Sequence, residues 1–145
     1  MADAEAFSLF KELGGDQTIV TYMFNYYVSK GMPNHSMAKV NDLNDTIYRT
    51  FSFKPYENKT QDTEIVVTSS AFTRPVVGDK LMNELRKRLE VTDGPDDPIN
   101  FIISTIMNPW LSNTVKGSFI PQIMNIIAKN VTEIVQKIKS KPESE

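Results

Sequence analysis

The sequence predicts an all-α fold. Two observations carry the prediction: apolar residues recur at helical spacing in several separate stretches, and Gly and Pro pairs punctuate those stretches. A third points the same way. The one strand-like run, residues 65–68, has no evident partner elsewhere in the chain.

Residues 4–13 read as a short helix closed by Gly14-Gly15 in the manner of a left-handed cap. Asp16 then caps a second helix over 16–30, where Ile19, Tyr22, Met23, Tyr26 and Tyr27 follow the i, i+3, i+4, i+7, i+8 template. Gly31 and Pro33 end it. Ser36 opens a third helix over 36–51, with Val40, Leu43, Ile47 and Phe51 as its buried stripe. Residues 52–77 are polar and broken by proline, and read as a long loop. Helix resumes over 78–91, with Leu81, Met82, Leu85 and Leu89 on one face. Arg86, Lys87 and Arg88 form a solvated face near its C-terminus, where cations suit the dipole. "TDGPDDP" makes a turn, and Pro98 suits the first turn of a helix over 97–108, which Pro109 stops before Trp110 and Leu111. The last helix, 118–139, carries Ile120, Ile123, Ile127, Val131, Ile134 and Ile138, with Pro121 tolerated in its first turn. Residues 1–139 form a single domain and 140–145 a polar tail, with no internal repeat. The expected core gathers Tyr26, Tyr27, Val40, Leu43, Ile47, Leu81, Leu85 and Ile102.

The 145 residues, 40% hydrophobic and 23% charged, are a globular composition able to bury one core. A net charge of -2 and a pI of about 5.5 supply no basic field for nucleic acid or an anionic membrane. The absence of cysteine excludes disulfides, thiolate metal sites, iron–sulfur clusters and cysteine nucleophiles. No stretch reaches the roughly 18 to 20 apolar residues of a membrane span. "MADAEAF" has neither the basic start of a secretory signal nor the arginines of a transit peptide, so a cytoplasmic or cytoskeletal location is expected. Asn34, Asn44, Asn58 and Asn130 open sequons that are read as chance in the absence of such a signal.

"LFKELGG" followed by a helix ending in "NYYV" resembles the start of the truncated haemoglobins. In that family a short first helix ends in Gly-Gly, and an aromatic pair ending in tyrosine follows about a dozen residues later. "GDKLMNELRKRLE" and "DPINFIISTIMNPWLSNTV" look like its last two helices, so the resemblance spans residues 7 to 115. It implies a small globin-like helical domain, here with an additional C-terminal helix. It also implies that Tyr27 occupies the distal position, where the family's tyrosine bonds haem-bound ligand.

The departures matter as much. Haem iron needs an axial donor. The only histidine, His35, precedes the third helix, whereas the family's proximal ligand follows it, where this chain reads "IVVTSSAFT". The phenylalanine pair that cradles haem is replaced by "SKGMPNHSM". The expectation is therefore a divergent, haem-free member with no cofactor and no metal. Phe53, Phe72, Trp110 and the methionines would fill the pocket.

Other chemistry is sparse. Ser36 beside His35 is a sequence neighbour and a helix cap, not a triad. Asp93, Asp96 and Asp97 lack the ligand alternation of a calcium loop, and "GGDQT" lacks the lysine of a phosphate loop. No catalytic residue is assigned, and the chain is not expected to be an enzyme. The reading that results is a non-catalytic structural or accessory subunit of a larger assembly, with other protein subunits as partners. The alternatives are a haem-binding globin for oxygen or another diatomic gas, using Tyr27, and an unrelated helical adaptor.

Overall fold

The computed structural model describes residues 18–52, 65–106 and 117–140. The fold is α+β, not all-α. Its elements in chain order are β1 (Thr18–Tyr22), β2 (Tyr27–Ser29), β3 (Met32–Pro33), α1 (Met37–Phe51), β4 (Thr68–Phe72), α2 (Arg74–Arg88), β5 (Ile99–Ile106) and α3 (Ile120–Ser140).

β5 is the centre of a three-stranded sheet, with β1 on one side and β4 on the other. Both pairings are antiparallel, Tyr22 facing Ile102 and Phe72 facing Ile99. β1 and β4 therefore run parallel to each other without touching. The sequence explains the strand character of β5: four isoleucines in eight residues, entered directly from Pro98, favour an extended backbone. β1, TIVTY, is β-branched or aromatic at every position.

α1 packs on both β5 and α3. Leu43, Ile47 and Phe51 meet Ile102, Tyr26, Val67 and Ile134 in one buried cluster. Met37, Val40, Met82, Leu89, Val91 and Ile99 form a second. Ile102 points toward α1, as does Asn100 two residues earlier. Asn100 donates its backbone N–H to Asn41 Oδ1 and its Nδ2 to Asp45 Oδ1. Phe101, between them, faces away and stacks on Phe72 with ring centroids 4.0 Å apart. Tyr22 and Ser104 share a hydroxyl bond of 2.8 Å across the β1–β5 seam.

Of the helix expected over 16–30, the described residues 18–30 are instead β1, an irregular bend, and β2 with the turn of the β2–β3 hairpin. Within the helix expected over 97–108, residues 99–106 are the central strand, and the expected loop over 52–77 contains β4 and the first turn of α2. The globin-like resemblance and its all-α class fall with them; the terminal helix remains, but not as an addition to a globin fold. Helix periodicity misled because Ile99, Ile102, Ile103 and Ile106 satisfy i, i+3, i+4, i+7 as well as a buried strand's apolar run. α1 and α3 lie where their stripes place them. The expected helix over 4–13 and the fillers Phe53 and Trp110 lie outside the described residues. Of the expected core, Tyr26, Val40, Leu43, Ile47 and Ile102 are buried and Leu85 is half-buried, but Tyr27 and Leu81 are exposed.

α2 is broken at Gly78, with φ 78° and ψ 165°. That region of backbone space belongs to glycine. Gly78→Ala is expected to lower stability by about 1 to 3 kcal/mol in urea unfolding, although a Cβ there meets no atom within 4 Å. An unchanged midpoint would show that the break relaxes freely.

At its other end α2 closes in a Schellman motif. Val91 N–H donates to Arg86 O and Glu90 N–H to Lys87 O. Glu90, at φ 57°, sits where glycine is usual.

Candidate functional site

Among the described residues, the candidate site is a set of loops stitched together by asparagines. Asn25 and Asn34 bracket the β2–β3 hairpin. Asn25 Nδ2 donates to Asn34 O at 2.7 Å and to Leu89 O at 2.6 Å, tying the hairpin base to the end of α2. Asn25 Oδ1 accepts from Tyr26 N–H and from Asn34 Nδ2. Asn34 also bonds Ser36 through both ends of its amide and gives its own N–H to Tyr26 O. The amide side chains thus replace the pairing that a longer strand ladder would supply.

Asn44, 1% exposed within α1, does the same for the bend after β1. Its Oδ1 accepts Phe24 N–H and its Nδ2 donates to Phe24 O, both at 2.9 Å, with a further bond to Val40 O.

A second loop, residues 89–98, locks against the first. Thr92 and Asp93 N–H donate to His35 O, and His35 Nδ1 donates to Glu90 O at 2.6 Å. Buried Arg86 donates to the carbonyls of Gly94 and Asp93. Asp93 Oδ1 accepts Met37 N–H at 2.6 Å and so caps α1 from a distant loop. Ser36 holds the N-cap position but makes no side-chain cap bond. Its expected capping role passes to Asp93.

The Met37 N–H holds the Asp93 carboxyl below the ordinary aspartate range against an opposing desolvation, helped by the Ser36 hydroxyl and the Arg86 charge. A carboxylate with a depressed native pKa contributes stability above its unfolded pKa, lost as pH falls through the native one. Asp93→Asn keeps an acceptor for Met37 but removes the charge. The gap in stability between wild type and variant is expected to be constant above about pH 5 and to shrink below about pH 4. A gap that stays the same down to about pH 2 would show that the charge contributes nothing.

The framework presents the hairpin outward. Lys30 and Gly31 form its two-residue turn, with Gly31 at φ 75°. Tyr27 and Met32 are 56% and 57% exposed, and Val28, the strand neighbour of Tyr27, is 42% exposed. Tyr27, assigned the distal position only in the haem-binding alternative, stands in solvent, while Tyr26, 8% exposed, enters the core. Extended backbone sends neighbours to opposite faces, so the aromatic pair divides.

His35 serves the loop lock. Asp96 ion-pairs with Arg74 at 3.5 Å, and Arg74 also bonds Asp79 and Pro95 O. The sequons at Asn34 and Asn44 are buried with their amide nitrogens engaged, and Asn130 Nδ2 bonds Ile126 O within α3. Asn58 lies outside the described residues. Sequence reading missed the asparagine framework. Its signal was "NYYVSKGMPN", a Lys-Gly turn between apolar residues with an asparagine at each end.

Among the described residues, no group of three or more His, Cys, Asp or Glu side chains is placed to hold a metal ion, and no helix is long and apolar enough to cross a membrane. No protein-family model matches the chain, and no curated protein does.

Proposed function

We propose that the protein is a non-catalytic accessory subunit that docks another protein through the hairpin of Tyr27, Val28 and Met32. The observation that carries this reading is three exposed apolar side chains on a backbone held by Asn25 and Asn34. A hairpin already held in place loses little conformational freedom when a partner covers it. Tyrosine and methionine are enriched at protein interfaces, whose centres are poor in charge. Between Asn25 and Asn34 the one charge is Lys30, at the turn.

A photo-crosslinking amino acid at position 28 tests this in extract of the source cells. It is expected to give an adduct of discrete mass, while the same group at exposed Thr132 gives none. Combining Tyr27→Ser with Met32→Ser should abolish the adduct and leave the unfolding free energy within about 0.5 kcal/mol of wild type, as is usual for surface changes. No adduct at 28, or equal adducts at 28 and 132, would refute the docking role.

A further inference from the structure

We draw no further inference here: the strongest candidate, the exposed apolar patch of Phe119, Ile120 and Met124 at the start of α3, carries nothing because nothing in the structure shows what covers it.

Discussion

Asn44→Leu is expected to destabilise the protein by about 2 to 6 kcal/mol, because the N–H and C=O of Phe24 would each lose a partner at about 1 to 3 kcal/mol. Leucine keeps the branched skeleton of asparagine but is larger, so no cavity forms, and overpacking at the buried site adds to the loss. The site is 1% exposed, which keeps water from replacing the lost bonds without opening the packing between α1 and the bend at Phe24. Asn44→Asp is an informative control. Its carboxylate can still accept the Phe24 N–H but would face the Phe24 carbonyl with a second acceptor, and should be at least as costly. Urea unfolding of both variants reads the result. A loss under about half a kcal/mol for the leucine variant would mean that the amide contributes little to holding the bend.

Ile102→Ala should cost about 2 to 5 kcal/mol, the range for truncating a buried aliphatic side chain in a core that relaxes only in part. Ile102 is 1% exposed and is the β5 residue that meets Leu43, Ile47 and Phe51 of α1. It also sits opposite Tyr22 on one side and Ser69 on the other, so its loss loosens all three strands together. Ile103→Ala, one residue on, is the comparison. Alternation along the strand turns Ile103 to the other face, where it is half-buried, and its truncation should cost clearly less. Equal losses at the two positions would contradict the β5 register.

α1 and α3 were legible in the sequence because a long amphipathic stripe leaves few alternatives. Val40, Leu43, Ile47 and Phe51 all reach the core as their spacing requires. The sheet was not legible for a different reason. β1 and β4 are short, and the partners in the sheet lie far along the chain, so no hairpin signal joins them. An apolar run such as INFIISTI fits a buried strand and a helix face alike. The composition held the better clue, since Thr18 to Tyr22 and Ile99 to Ile106 are dominated by β-branched residues. The loops were least legible. Asparagine looks like an ordinary turn residue until its partners are known, and the bonds of Asn25 to Leu89 O and of Asp93 to Met37 span distances no local pattern reports.

The place of β5 between β1 and β4 also orders events during synthesis. Tyr22 and Ser104 are 82 positions apart, so β1 leaves the ribosome long before the strand that completes it exists. At about 5 to 20 residues per second the gap is roughly 4 to 16 s, far longer than the microseconds in which a local hairpin closes. For those seconds the uncharged segment TIVTY is an unpaired strand on a nascent chain, open to chaperones and to other nascent copies alike. The helices can form as they emerge, but the sheet waits for its last strand.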